Sequence, residues 1–155
     1  LCLSTLHANN ANQAMERVIN FFPEEAHRQL LVDLSLNLAG VVSQRLIPGL
    51  HEKLVPAVEV MLNSSYISDL ITKGEFSGIK EAMARSTEIG MCTFDQALYQ
   101  LYTEDRISLD EALHNADSRT DLALRVRLAA GVSTQDVGDL SIDTSSPIQS
   151  AARLA

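Results

Sequence analysis

The sequence predicts an α/β fold in which about three strands lie among helices, followed by an all-helical C-terminal region. Leu1–Leu6 is an apolar run with almost no alternation, as in a strand that is covered on both faces of a parallel sheet. Two more β-favouring runs follow two helical segments. After Leu62 the strand signals stop, and short helices with clear starting residues follow one another.

Composition limits the class of protein. A chain of 155 residues, 46% of them hydrophobic, is large enough to bury a core of ordinary domain size. Its net charge of −8 and the lack of a Lys/Arg cluster argue against nucleic acid as the main partner. No apolar run approaches the roughly 20 residues that span a bilayer, so we expect no membrane insertion. Cys2 and Cys92 lie far apart without a CxxC motif, which favours a reduced, cytoplasmic chain and leaves a disulfide open.

Polar residues at the end of the first predicted strand form a candidate ligand site. Ser4, Thr5 and His7 lie there, just before a helix. In open α/β sheets, ligands bind at this edge because backbone N–H groups and the helix dipole point toward anions. The position predicts a contact between His7 and a phosphate. The alternative is that Ser4 and Thr5 are ordinary strand residues, and that His7, Asn9 and Asn10 only turn the chain and cap the helix.

The first residues of the chain already belong to a predicted strand. The chain opens without Met and in the middle of a buried-strand pattern. A lone strand needs neighbours that pair its backbone N–H and C=O groups. We therefore interpret the sequence as the C-terminal piece of a larger protein.

After the first predicted strand, two helices and two more strands are predicted before residue 63. In order, they are a helix over Asn10–Phe22, a helix from Pro23 to about Gly40, a strand over Val41–Ile47 and a strand over Leu54–Leu62. Glu24 and Glu25 suit the positive end of the second helix. We expect the two strands to be adjacent and antiparallel, joined by the polar loop Pro48–Lys53.

Capping signals divide the rest of the chain into helices. The predicted helices cover Ile67–Lys73, a stretch from Phe76 to about Thr87, and residues 94–103, 109–115 and 119–129. Thr93 with Gln96 and Ser108 with Glu111 are capping-box patterns. We expect residues 1–62 to form part of a sheet-containing core and residues 63–130 to form a helical subdomain. Residues 131–155 are rich in Ser, Thr, Asp and Gly, which predicts a disordered tail.

Most of the usual catalytic motifs are absent from the sequence. It has no GxxxxGK followed by Ser or Thr, no GxGxxG, no GxSxG and no HExxH. The chain therefore cannot form a phosphate-binding cradle on its own. The four histidines, which are His7, His27, His51 and His114, lack metal-ligand spacing, so no metal site is predicted. The paired acids at the predicted helix starts are better explained by helix dipoles than by acid–base catalysis.

Several segments resemble a known family. LSTLHANNANQAMERVINFFPEEAHRQLLVDLSLNLAGVVSQRLIP closely resembles the histidine-box segment, and the helix and strand that follow it, of the type IV pilus retraction ATPases of the PilT/PilU family. SSYISDLITKGE, EIGMCTFDQALYQLY and ISLDEAL resemble the same family in the same order. The resemblance covers residues 1–128, about four-fifths of the chain.

The resemblance implies a RecA-like secretion ATPase that works as a homo-hexameric ring and couples ATP hydrolysis to pilus retraction. It implies a place at the cytoplasmic face of the inner membrane. The expected partners are the membrane platform protein of the pilus and a paralogous retraction ATPase. ATP and Mg²⁺ would be cofactors of the intact parent. Neither is expected to bind tightly to this chain alone, which lacks the Walker A and Walker B motifs and should be inactive as an ATPase by itself. His7 matches the leading histidine of the family's box and would sense the γ-phosphate, with Thr5 beside it in the nucleotide site.

A second family motif carries over only in part. The force-coupling motif AIRNLIRE of PilT-type members corresponds to Tyr66–Lys73. Ile67, Asp69, Leu70 and Ile71 lie within it, but both arginines of the motif are missing. This departure makes the chain more similar to the PilU-type accessory motor. A different class of function stays open, since the capped helices after residue 62 would suffice for a non-catalytic helical interaction module.

Overall fold

The protein is described by a computed structural model for residues 2–130. Seven helices and two strands are found in this range. In chain order they are α1 (Ala11–Asn20), α2 (Glu24–Asn37), β1 (Gly40–Pro48), β2 (Leu54–Leu62), α3 (Ser65–Lys73), α4 (Ile79–Ala84), α5 (Phe94–Thr103), α6 (Leu109–Asn115) and α7 (Arg119–Ala129). The predicted α/β class and the run of helices after residue 62 are confirmed, whereas the tail predicted for residues 131–155 lies outside the described residues.

The two strands form an antiparallel hairpin. Gly40 pairs with Leu62 at one end and Pro48 with Leu54 at the other, so the predicted pairing is confirmed. Side chains alternate between the two faces of the hairpin. One face is buried under helices, and the opposite face is apolar but largely exposed, with Val42 at 71% and Leu46 at 56% relative exposure. The predicted parallel sheet is therefore wrong for the described residues, which form a two-stranded antiparallel sheet.

The predicted strand over Leu1–Leu6 is also wrong for the residues that the structure describes. Residues 2–8 form neither helix nor strand, and Leu3 is 88% exposed. An apolar run forms a buried strand only when other strands pair its backbone and other elements cover its faces. Neither condition is met within residues 2–130, where the sheet consists of β1 and β2 and has one further bridge, between Val60 and Cys92.

The buried face of the hairpin carries two hydrophobic cores, one at each end. The first combines Met61 of β2 with residues of α1, α3 and α4, including Met15, Ile67, Ile71 and Met83. The second combines Ile47 of β1 and Val55 and Ala57 of β2 with residues of α5, α6 and α7, including Phe94, Leu98, Ala112 and Leu122. Both cores contain residues from either side of residue 62, so the hairpin and the later helices pack together.

Most helix boundaries follow the capping signals. The helices predicted at residues 94–103, 109–115 and 119–129 are confirmed as α5, α6 and α7. The Thr93–Gln96 capping box is formed in both directions, whereas Ser108 caps α6 and Glu111 accepts instead from Asn115. α2 ends at Asn37, three residues before the predicted Gly40, because Leu38 already has extended backbone angles. The helix predicted from Phe76 to about Thr87 is divided into a 3₁₀ turn at Phe76–Gly78, α4 and a second 3₁₀ turn at Thr87–Ile89.

Gly74 ends α3 in the left-handed conformation, with φ at 72°. A Cβ atom is disfavoured there, although the nearest side-chain atom, Leu31 Cδ1, would be 3.7 Å away. Replacing Gly74 by Ala should therefore lower the free energy of unfolding by about 1 kcal/mol through backbone strain alone. Urea denaturation measures the change. Gly74→Asn is the matched control, since Asn adopts this conformation more readily and should lose less; equal losses would contradict the backbone explanation.

Candidate functional site

The segment that carries Thr5 and His7 leads directly into α1. Both side chains are exposed, and the segment ends where Asn10 caps the helix by accepting a hydrogen bond from Gln13 N at 2.9 Å. The capping role that was one alternative for Asn10 is therefore confirmed. The side chains of His7 and Thr5 are therefore accessible to a ligand, and the segment that corresponds to the force-coupling motif lies in α3.

A buried carboxylate holds the start of α1. Glu59 of β2 is 3% exposed, and its Oε1 accepts a hydrogen bond from Ala11 N at 2.7 Å. Ala11 is the first residue of α1, so this bond satisfies one of the N–H groups that a helix leaves unpaired at its N-terminus. The positive end of the helix dipole also favours a negative charge at this place. Glu59 thus fixes the helix that follows the His7 segment onto the hairpin.

Arg45 of β1 connects the same segment to the C-terminal helices. Its Nη1 donates to the Asn115 carbonyl at 2.8 Å, and its Nη2 donates to the Asn9 carbonyl at 3.2 Å and to Asp117 Oδ1 at 2.7 Å. The guanidinium carbon lies 3.9 Å from the centre of the Phe94 ring. Because a guanidinium presents five donors in a fixed plane, one Arg binds these acceptors together and also stacks on an aromatic face. Arg45 therefore connects the backbone at residue 9 to the loop between α6 and α7.

Two further charged side chains, Lys80 and Asp95, bind the loop that contains Asp117. Lys80 Nζ lies 2.7 Å from Asp95 Oδ2 and 3.7 Å from Asp117 Oδ2. Asp95 Oδ1 accepts from the backbone N–H groups of Asp117 at 2.8 Å and Ser118 at 3.3 Å. The loop that receives Arg45 is thus itself fixed by side chains from α4 and α5. We call Arg45, Glu59, Lys80, Asp95 and Asp117 the polar cluster.

The charge of Glu59 is held in an unfavourable environment. Burial raises the pKa of its carboxyl, because the charged form loses hydration. The hydrogen bond from the backbone of Ala11 lowers the pKa again, as do the backbone of Phe94 and the positive charge of Arg45. The negative charge of Asp117 raises the pKa further. The hydrogen bonds therefore offset only part of the desolvation.

The segment matched to the force-coupling motif is mostly core. Ile67, Leu70 and Ile71 are buried in the first hydrophobic core, whereas Asp69 is exposed and pairs with Lys73 at 2.6 Å. The apolar members of the motif therefore hold α3 in place, and the exposed surface of this helix includes Tyr66, Asp69 and Lys73. The contacts found for these residues are with the first core and with one another.

Other candidate chemistry is limited in the described part of the chain. No group of three or more His, Cys, Asp and Glu side chains within residues 2–130 is arranged to hold a metal ion. Cys92 is half-buried, and burial together with the charge of Glu59 raises the pKa of its thiol, which is the reverse of nucleophile activation. None of the helices among these residues has both the length and the apolar character needed to cross a membrane.

Ile71 provides a test of the core role of α3. Ile71 has no exposed surface, so Ile71→Ala should lower the free energy of unfolding by about 2–5 kcal/mol through lost burial and a cavity. Tyr66→Ala on the exposed side of the same helix should change it by no more than about 0.5 kcal/mol. Denaturant unfolding of both variants gives the comparison, and similar losses for the two would contradict this orientation of α3.

Glu59 predicts a pH dependence of stability. Its raised pKa means that the folded chain binds a proton more tightly than the unfolded chain, so its ionisation lowers the free energy of unfolding as pH rises above about 4.3. Glu59→Gln removes this ionisation. The difference in unfolding free energy, variant minus parent, should therefore increase between about pH 4 and pH 7 in urea titrations. If this difference stays constant or decreases over the same range, folding does not raise the pKa of Glu59.

Comparison with known proteins places the chain in a family. No family model matches it. The chain is 56% identical over 131 residues to the type IV pilus ATPase PilU of Pseudomonas aeruginosa, across 84% of this chain and 34% of PilU. It is 31% identical over 116 residues to the type IV pilus retraction ATPase PilT of the same organism, across 75% of this chain and 34% of PilT.

A solved structure agrees with these relatives. The crystal structure of the pilus retraction motor PilT with bound ADP matches 77% of this chain and 33% of that chain, with a TM-score of 0.66 and 28% identity. This similarity fits part of a RecA-like domain followed by helices, and the resemblance predicted from the residues is confirmed. The chain spans about a third of the length of the relatives that it matches. It belongs to the PilT/PilU family of type IV pilus ATPases and corresponds to a part of such a protein.

Proposed function

We propose that this chain is part of a homo-hexameric ATPase that powers type IV pilus retraction through ATP hydrolysis. The observation that carries the proposal is the 56% identity to PilU across 84% of the chain. The PilT motor with bound ADP, which has a similar fold, supports nucleotide binding by the protein to which the chain contributes. The higher identity to PilU than to PilT agrees with a PilU-type motor.

Within that ATPase we propose that His7 contacts the γ-phosphate region and that Thr5 lies beside it. Two features support this assignment: both side chains are exposed, and the backbone that follows them is held by Asn10, Arg45 and Glu59. The residues of this chain do not fit a complete site for ATP and Mg²⁺. Its sequence has no phosphate-binding GxxxxGK loop, and its described acids form no cation-binding group. The proposal therefore assigns binding of the metal and of most phosphate oxygens to other parts of the ATPase.

The proposed location and partners follow from the family. An ATPase of this kind would act at the cytoplasmic face of the inner membrane. It would act on the membrane platform protein of the pilus, together with a paralogous retraction ATPase. Ile67, Asp69, Leu70 and Ile71 are proposed to transmit force through α3. In this role, the three apolar residues set the position of the helix, and Asp69 belongs to its exposed surface.

A chimeric protein tests the proposal. The aligned 131 residues of Pseudomonas aeruginosa PilU are replaced by the matching residues of this chain. If the chain is part of a retraction ATPase, the chimera should hydrolyse ATP and restore twitching motility to a strain without PilU. A folded chimera that does neither would contradict the proposed function and would favour the non-catalytic interaction module.

Changing His7 to Ala in that chimera tests the site. If His7 donates a hydrogen bond to the γ-phosphate or its transition state, kcat should fall roughly ten- to a thousandfold with little change in melting temperature. Steady-state phosphate release at saturating ATP measures the change.

Asn10→Ala is the matched control for His7. Loss of the α1 cap should lower the free energy of unfolding by about 1 kcal/mol without a comparable loss of turnover. A His7→Ala chimera that keeps its kcat within a factor of about two would rule out the catalytic assignment.

A further inference from the structure

We infer that Arg45 and Glu59 are positioning residues, which fix the backbone at Asn9–Ala11, and with it the His7 segment, relative to the loop between α6 and α7. This inference rests on the proposed function only where it concerns turnover. The placement itself rests on the hydrogen bonds of the polar cluster.

The two residues hold successive parts of one short stretch. Arg45 Nη2 donates to the carbonyl of Asn9, and Glu59 Oε1 accepts from the N–H of Ala11, two residues later. Both side chains start from the buried face of the hairpin, where Arg45 pairs with Ala57 and Glu59 pairs with Ser43 across the strands. The stretch is therefore held from both strands, at the point where the exposed His7 segment becomes α1.

The same guanidinium also holds the C-terminal helices. Arg45 donates to the carbonyl of Asn115, the last residue of α6, and to the carboxylate of Asp117 in the loop that follows. Asp117 is itself held through its N–H by Asp95 and through its carboxylate by Lys80. A shift of the α6–α7 loop would break or stretch the Arg45 contacts. It would thereby loosen the support of the Asn9 carbonyl.

Sequence separation sets this cluster apart from ordinary helix capping. Arg45 contacts residues 36 positions earlier and 72 positions later, and Glu59 contacts a residue 48 positions earlier. The exposed ion pairs Asp69–Lys73, within α3, and Glu81–Arg85, at the end of α4, join residues four positions apart and connect no separate elements. The cluster is thus placed to make the position of the His7 segment depend on the C-terminal helices.

Hydrogen exchange in the full chain tests the placement without any need for activity. The variants are Arg45→Met, which keeps an apolar stem over Phe94, and Glu59→Gln. The N–H of Ala11 donates to Glu59, and the N–H of Asn9 donates to Gln13 Oε1. Losing one charge-assisted hydrogen bond should open this stretch more often in either variant, so we expect exchange at these two amides, followed by NMR, to become about tenfold faster. Unchanged exchange at both amides would overturn the inference.

Arg106→Met is the matched control. Arg106 also pairs with a carboxylate, Glu52, at 3.0 Å, but this pair joins the hairpin loop to the residues after α5. Its loss should leave the exchange of Asn9 and Ala11 unchanged. Equal acceleration in this variant would mean that general destabilisation, and not the polar cluster, opens the segment, and would overturn the inference.

The chimera with PilU tests the effect on the reaction. Arg45→Met should lower kcat by about 100-fold, the effect of a small displacement of a catalytic group, with KM for ATP much less affected. Arg45→Lys, which keeps the charge, should recover part of the kcat, and Arg106→Met should leave it unchanged. A kcat that Arg45→Met does not change would overturn the positioning role.

Failure of the proposed function would look different. An unsubstituted chimera without ATPase activity contradicts the retraction ATPase assignment, whereas the placement of the His7 segment is still decided by the exchange rates of Asn9 and Ala11.

Discussion

The described fold depends on charged groups that lie between two hydrophobic cores. Along the buried face of β2, Val55 and Ala57 belong to one core and Met61 to the other, with Glu59 between them. On β1, Ile47 belongs to the second core, Val41 packs against the first, and Arg45 lies between them. Both cores pack against one hairpin, so the charged groups that lie between the cores connect the two groups of helices.

The cost of burying these charges is reduced because they are bound from several sides. An isolated carboxylate taken out of water would lose several kcal/mol of hydration free energy. Glu59 recovers part of this through the N-terminus of α1, and Arg45 through two backbone carbonyls, the Asp117 carboxylate and the Phe94 ring. Removing the Asp117 carboxylate, for example, would leave the charge of Arg45 largely buried without its counter-charge. The arrangement therefore specifies how the chain before α1, the hairpin and the loop after α6 fit together.

Local signals predicted much of the fold. Capping residues gave the limits of α5, α6 and α7, because a helix start is set by a few neighbouring side chains. The β-favouring runs likewise gave the hairpin and its pairing. The strand predicted over Leu1–Leu6 is wrong for the described residues, because an apolar run predicts burial but does not identify the element that would cover it. Among the described residues nothing pairs with that segment, and Leu3 is exposed.

The polar cluster was not predicted, although a signal for it exists. Arg45 and Glu59 occupy inward positions of strands whose other inward residues are mostly apolar, and a count in steps of two along each strand would have singled them out. Their partners lie up to 72 positions away, and no local pattern identifies contacts over that distance. The role proposed for His7 rests mainly on the family resemblance and secondarily on its place after a predicted strand, and residues 2–8 do not form that strand.

A double-mutant cycle between Arg45 and Asp117 tests the central claim most directly. The free energy of unfolding is measured for the parent chain, Arg45→Met, Asp117→Asn and the double variant. Because the two side chains are only 23% and 17% exposed and share the cluster, the coupling free energy should exceed about 1 kcal/mol, more than an exposed pair gives. A coupling below about 0.3 kcal/mol would show that the two substitutions act independently, and the polar cluster would then not be what connects the two cores.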